Sequence, residues 1–218
     1  MRVAVIFCAL LLWPMLAMAE VAQLVGRLNI GRGGFCTASL IDSQTILTAG
    51  HCLQSPDGTD RPLAPMRFFL ALGDDGAVAA RHITQIALPA AFFQMGAARL
   101  NNDIALARLD APLDVSALAH LHIGPLPAWS AQVKILRYDR MNSNHIAQQN
   151  CKVAAREGQA ALLSCTVDSG ASGAPVFVMD GAELYLAAVV SRKISAPERG
   201  TLAIAAQDAI AQLRRQLR

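Results

Sequence analysis

Strand-like runs that stop after a few residues dominate this chain, and they constrain its fold more than any other feature. Residues 21–30 carry Val, Leu and Ile and end at the turn Gly31-Arg32-Gly33-Gly34. Residues 35–41 follow and break at Asp42-Ser43-Gln44, and residues 45–49 run directly into Gly50-His51-Cys52. Residues 66–72 and 81–88 flank Gly73-Asp74-Asp75-Gly76, the composition of a hairpin turn. Residues 104–109 come after the polar corner Asn101-Asn102-Asp103, and further runs stand at 132–138, 160–167, 174–179, 182–191 and 200–205. Many short strands split by Gly, Pro and Asp predict an all-β barrel or sandwich. Residues 54–65 are polar with prolines and read as a surface loop, and the Pro- and Ala-rich stretch 111–127 reads as a connector between two halves. The end differs. Ala206, Ile210, Leu213 and Leu217 share one helical face, with Asp208 early and Arg214, Arg215 and Arg218 late. That predicts an amphipathic helix packed on the domain, its charges suited to its dipole, rather than a membrane anchor.

The first nineteen residues read as a secretory leader. Arg2 gives a positive start, residues 3–16 are mostly apolar, and Ala17-Met18-Ala19 is an A-x-A cleavage site, so the mature chain is expected to begin at Glu20. The apolar run is short for a membrane span of about 20 residues. The protein is therefore expected to be secreted or periplasmic, with no stable membrane association after the leader is removed. Cys8 is lost with the leader, leaving Cys36, Cys52, Cys151 and Cys165. An even number in an exported chain favours two disulfides over a metal site, and four cysteines allow three pairings. Pairing neighbours would close two short loops, each contributing about 3 kcal/mol in the chain-entropy model. No zinc-like spacing occurs, and Asp74 and Asp75 read as a solvated turn rather than calcium ligands. No metal or cofactor is implied. A net charge of +3 is too small to argue for nucleic acid or a membrane surface, and 5% aromatics offer no stacking platform for single strands.

The chemistry concentrates in Thr166-Val167-Asp168-Ser169-Gly170-Ala171-Ser172-Gly173-Ala174-Pro175-Val176. Small residues on each side of Ser172 let the backbone turn sharply and lift the hydroxyl toward a substrate. In such a turn the amides of Gly170 and Ser172 can point at one spot, as in an oxyanion hole. Taken alone, the stretch reads equally as a glycine-rich loop between strands. Ala174 stands where the nucleophile-elbow pattern needs its last glycine, which weakens an α/β-hydrolase reading. A nucleophilic serine needs a base and an orienting acid. His51 follows a strand and precedes a cysteine, so a scaffold holds its ring. Asp103 leads into the apolar strand Ile104–Leu109, where an unpaired charge would be costly, and His51 is its natural partner. His82, His120, His122 and His145 lack such a scaffold and read as surface or satisfied residues.

These segments, in this order, resemble the chymotrypsin-like (trypsin-fold) serine proteases. Phe35-Cys36-Thr37-Ala38-Ser39-Leu40-Ile41 and Leu47-Thr48-Ala49-Gly50-His51-Cys52 are similar to the strand pair leading to that family's catalytic histidine. Asn102-Asp103-Ile104-Ala105-Leu106-Ala107-Arg108-Leu109 resembles its aspartate strand, and Gly170 to Val176 its serine loop. Ala188-Val189-Val190-Ser191 resembles the strand whose serine supports the aspartate and whose edge pairs with substrate. The resemblance implies two six-stranded antiparallel β-barrels with a closing C-terminal helix, and a catalytic triad of His51, Asp103 and Ser172 in the cleft. It places the oxyanion hole at Gly170 and Ser172 and substrate contacts at Thr166, Ser191, Arg192 and Lys193. It also implies a Cys36–Cys52 bridge, and Cys151–Cys165 looks like a bacterial variant of a second-barrel bridge. The expected organisation is a leader over 1–19, a first barrel over 20–113, a second over 114–205 and a helix over 206–218.

Departures from the family pattern bear on activation and specificity. Activatable members carry an aspartate just before the nucleophile to receive a newly cut amine; Ala171 cannot, so leader removal alone is expected to suffice. Thr166, six positions before Ser172, is not the aspartate of trypsin. Arg192 and Lys193 replace the usual tryptophan and glycine. They would repel a basic side chain and attract an acidic one, so cleavage is expected to be non-tryptic. The expected function is an exported serine endopeptidase acting on polypeptides as a monomer. The alternatives are a catalytically silent protease-fold binding module, disfavoured because all three triad residues are present, and an esterase using the same relay.

Overall fold

Six strands close the first barrel: β1 (Val25–Asn29), β2 (Phe35–Asp42), β3 (Thr45–Thr48), β4 (Arg67–Leu70), β5 (Ala79–Ala87) and β6 (Ala105–Leu109). Their order is β1-β2-β3-β6-β5-β4, antiparallel throughout, with β4 pairing back on β1. Gly26 permits that closure, because a Cβ there would lie 2.4 Å from the Phe68 ring. Inward residues such as Leu28, Leu40, Ile46, Phe68 and Ala107 fill this barrel. Full burial of a side chain the size of Leu or Phe contributes about 1.5–3 kcal/mol.

The computed structural model describes residues 18–217 apart from 56, 58, 60, 181, 182 and 196. Nearly all of the predicted leader lies outside the described residues. Residues 18–22 form a helical turn before β1, where the sequence suggested strand from residue 21, and Met18 and Val21 are buried. A cut after Ala19 would take Met18 out of that packing.

The connector is more structured than its composition suggested. A 3-10 turn, Ser116–His120, leads into β7 (His122–Ile123). The second barrel follows with β8 (Gln132–Arg137), β9 (Ala147–Glu157), β10 (Ala160–Leu163), β11 (Pro175–Asp180), β12 (Glu183–Ile194) and β13 (Gly200–Ala205). Its ring order is β11-β8-β9-β10-β13-β12, and pairing of β11 with β12 closes it, while β7 lies parallel to β12 outside the ring. Strand β9 was absent from the sequence reading. Only Cys151 and Val153 of its eleven residues are buried, so it lacks the apolar alternation that marks a strand.

Each barrel has its own core, and a third apolar cluster joins them. Leu47, Ile104 and Leu106 of the first barrel meet Leu136, Tyr138, Phe177 and Val189 of the second. The C-terminal helix (Gln207–Leu213) caps this cluster, and Ala206, Ile210, Leu213 and Leu217 are all buried as one face. Its basic end is tied to the protein: Arg214 Nη2 lies 3.3 Å from Asp42 Oδ2. Among the described residues no helix is long and apolar enough to cross a membrane. Two disulfides form, Cys36–Cys52 and Cys151–Cys165, with sequence separations of 16 and 14. These are the neighbour pairings among the three that the count allowed.

Candidate active site

His51 is held by local structure. Strand β3 passes through extended Ala49 into a single helical turn, Gly50–Leu53, and the Cys36–Cys52 bridge ties that turn to β2. Gly50 faces the Phe92 ring, which a Cβ would meet at 2.8 Å. The ring fills the space that a side chain at position 50 would need. Asp103, 1% exposed, stands just before β6 and accepts from His51 twice. The His51 amide donates to Oδ1 at 2.9 Å, and Nδ1 lies 2.8 Å from Oδ2 and 3.1 Å from Oδ1. The Ser191 hydroxyl donates to the same Oδ2. Burial alone would raise this carboxyl, but the hydrogen bonds and charge of His51, together with Ser191, outweigh it and hold it below the ordinary range. With Nδ1–H committed to a carboxylate, Nε2 carries the free lone pair. Cys36, His51 and Cys52 offer donor atoms within 4.8 Å of one another. Both sulfurs are spent in the disulfide, so this is no thiolate site.

The serine loop is pinned carbonyl by carbonyl. Ser169 O accepts the Arg140 amide at 3.0 Å, and Ala171 O accepts Ala174 N at 3.0 Å. Gly170 O lies 3.0 Å from the Thr37 hydroxyl, and Ser172 O accepts the Thr37 amide at 2.8 Å. Ala171 N and Gly173 N are taken by Asp168 O and Val190 O. The amides of Gly170 and Ser172 are left with no acceptor among the described residues. Gly170 (φ +103) and Gly173 (φ +82) both adopt backbone that favours glycine. A Cβ on Gly173 would fall 2.0 Å from Thr48 Oγ1. The Ser172 hydroxyl donates to Ser191 O at 3.2 Å, and no bond to His51 is present. Ser191 thus touches both halves of the constellation, by its hydroxyl and its carbonyl.

His51, Asp103, Ser172, Ser191 and Gly170 come together as one cluster. The other residues named from sequence lie around it. Thr166 is exposed, its carbonyl 3.3 Å from Gln149 Nε2. Arg192 is half-buried on β12, and the exposed Lys193 lies 3.8 Å from Asp168. His82, His120, His122 and His145 are exposed, and His145 lies 2.9 Å from Asp74. Ala171 is fully buried among apolar neighbours of the second barrel.

Sequence reasoning missed a second tier of residues behind the loop. Thr37 of β2 is buried, its hydroxyl accepting Tyr138 N at 2.9 Å and standing 3.1 Å from Tyr138 O. Asp139 is 1% exposed. Its Oδ1 accepts Met141 N, Asn142 N and Asn142 Nδ2 at 3.0, 2.9 and 3.2 Å, while Oδ2 accepts Arg137 Nε at 2.7 Å. Burial pushes this carboxyl up, and the bonds from Asn142 and Arg137 more than offset it, leaving it lowered. The only signal in sequence was the Asp-Arg-Met-Asn turn composition.

Solved structures share the fold at low identity. A Glu endopeptidase in complex with MPD superposes with a TM-score of 0.73 and 18% identity, over 91% of this chain and 93% of that one. The thermostable serine protease AL20 from an extremophilic microorganism gives 0.73 and 15%, over 90% and 98%. The protease Anisep from Arthrobacter nicotinovorans gives 0.67 and 17%, over 84% and 90%. No curated protein matches the sequence. The trypsin family model matches residues 18–211, which takes in both barrels and every member of the cluster. By that match and by its paired barrels, the chain belongs to the trypsin family of serine proteases.

Proposed function

We propose that this protein is an exported serine endopeptidase that hydrolyses polypeptides through an acyl-enzyme. The observation that carries the reading is Asp103, a buried carboxylate that grips both the amide and Nδ1 of His51 while taking the Ser191 hydroxyl. That arrangement leaves Nε2 poised as a base. In this reading the Ser172 hydroxyl leaves Ser191 O and turns toward Nε2, a bond that tightens when substrate binds. His51 takes the proton as Oγ bonds to the scissile carbonyl carbon, and the carbonyl π pair moves onto oxygen. The two unclaimed amides, Gly170 and Ser172, receive that oxyanion. Collapse breaks the C–N bond, and His51 gives its proton to the leaving amine. A water then repeats the cycle on the ester and frees Ser172.

The reading extends to specificity, export and processing. Non-tryptic cleavage is supported by Thr166, which offers no buried counterion to a lysine or arginine. Lys193 is exposed and lies 3.8 Å from Asp168, and so solvated a charge discriminates by only about 0.2–1 kcal/mol, a weak pull on an acidic side chain that leaves small or aliphatic residues as the favoured ones. Two disulfides and the leader-like first nineteen residues support export. Ala171 lies in apolar packing and offers no carboxylate of its own to a new amine, which supports activity after leader removal alone.

A fluorophosphonate probe and a peptide library test this together. Wild type should be labelled at one serine and cleave peptides, and Ser172→Ala should lose both, with turnover down on the order of a millionfold. A folded Ser172→Ala protein that still cleaves would overturn the mechanism. Labelling with ester but no peptide hydrolysis would favour the esterase, and an unlabelled wild type the silent binding module.

A further inference from the structure

The oxyanion amide of Gly170 belongs to a peptide unit that its own loop does not hold. That unit pairs the Gly170 N–H with the Ser169 C=O, and in a trans peptide the two point in opposite directions. The carbonyl is fixed from outside, by the Arg140 amide at 3.0 Å, and this is its only partner among the described residues. Glycine at φ +103 gives little steric resistance to rotation of the unit. A rotated unit would aim the Ser169 oxygen, an acceptor, where a donor is needed. The Arg140 amide is in turn presented by a four-residue turn, 139–142, closed by Asn142 N to Asp139 O at 3.0 Å. The buried Asp139 carboxylate folds that turn by accepting three N–H groups from Met141 and Asn142, and Arg137 anchors its other oxygen. The turn sits hard against the loop: a Cβ on Gly170 would lie 3.0 Å from Asp139 Cα.

We propose that Asp139 is a positioning residue for catalysis: through the Arg140 amide it holds the 169–170 peptide so that the Gly170 N–H faces the oxyanion. The inference rests on the hydrolase reading above. Asp139 touches no substrate. Its effect belongs to the transition state, because a ground-state carbonyl gains less from the amide than an oxyanion does.

Arg140→Pro is the sharpest test. Position 140 is the second residue of the turn, where proline is well accommodated, and the substitution puts a ring carbon in place of the amide proton, so the Ser169 oxygen loses its donor and is crowded out of its position while the turn remains. We expect kcat to fall about 10²–10³-fold, the loss typical of one oxyanion donor. KM should stay within about twofold, since ground-state binding is untouched. Affinity for a peptide aldehyde, whose adduct fills the hole, should fall in parallel with kcat. Asp139→Ala should show the same split, and Asp139→Asn, which keeps an acceptor for the turn amides, should recover kcat to within about fivefold even if its melting point drops, since that acceptor bond is the one required. Unchanged kcat in Arg140→Pro overturns the proposal. So does a loss that follows melting temperature across the series, or one that falls on KM. If Asp139→Ala does not fold, the Arg140→Pro and Asp139→Asn pair decides alone. A wild type that neither labels nor cleaves removes the hydrolase reading and this inference with it, an outcome distinct from active variants that match wild type.

Discussion

Replacing Thr37 with valine should disable the molecule although the two side chains have nearly the same shape. The Thr37 hydroxyl is fully buried where β2 of the first barrel meets the serine loop and the end of β8. It shares its proton between Tyr138 O and Gly170 O and accepts Tyr138 N–H. Valine fills the same volume, so no cavity forms, but Tyr138 N–H, Tyr138 O and Gly170 O lose the only partners they have among the described residues. Each stranded buried group costs about 1–3 kcal/mol, and the two carbonyls share one lost proton, so the three together cost about 4 kcal/mol. In a chain of this size that lowers the melting temperature by about 8–16 °C, at about 2–4 °C per kcal/mol. Thr37→Ser is the control, because it keeps the hydroxyl and gives up a single methyl, about 1 kcal/mol. Urea unfolding followed by tryptophan fluorescence gives the stabilities, and peptide turnover gives the activity. Valine should also cut kcat, since the carbonyl that fixes the 170–171 peptide loses its donor. A valine variant within about 1 kcal/mol of wild type, with serine the worse of the two, would refute this account.

Two further outcomes follow from the site. The Asp103 carboxyl, pushed up by burial but held lowered overall by His51 and Ser191, stabilises the fold through its ionised form. That contribution is complete above the ordinary carboxyl value of about 3.9 and is lost as pH falls through the lower folded value. The urea-midpoint gap between wild type and Asp103→Asn should therefore be widest at about pH 5–7 and close in stronger acid; a gap independent of pH would exclude the linkage. Protein beginning at Glu20 should be active as purified from an oxidising compartment. Inactive material that gains activity only on further trimming would show that a second cut is required.

The sequence made legible what depends on neighbours along the chain. The run into Gly50-His51-Cys52, the corner before β6 and the glycines around Ser172 all announce themselves within a few residues, because a turn or a buried charge restricts what can stand there. Strand β9 did not, since ten of its eleven positions are polar or small and its place comes from pairing with β8 and β10. Parallel β7 is two residues long, below what periodicity can register. Thr37 looked like one more residue of a strand motif. Its role depends on Tyr138 and Gly170, 101 and 133 positions away, and no local pattern encodes that. Asp139 was unread for the same reason: its partners are local, but what they support is not.

The division of the cluster between two barrels sets a sequence of events during synthesis. His51 and Asp103 leave the ribosome with the first barrel, and Ser172 and Ser191 follow only with the second. A half-made chain holds a base and an acid with no nucleophile, and its aspartate lacks the Ser191 hydroxyl. Domains generally fold as units, the N-terminal one first. On the proposed reading, the apolar cluster that joins the barrels therefore acts as an interlock: hydrolytic power arrives in one step, at docking, when the last element has been made. Nascent copies cannot cut one another or the machinery that carries them, and this protection needs no inhibitory segment.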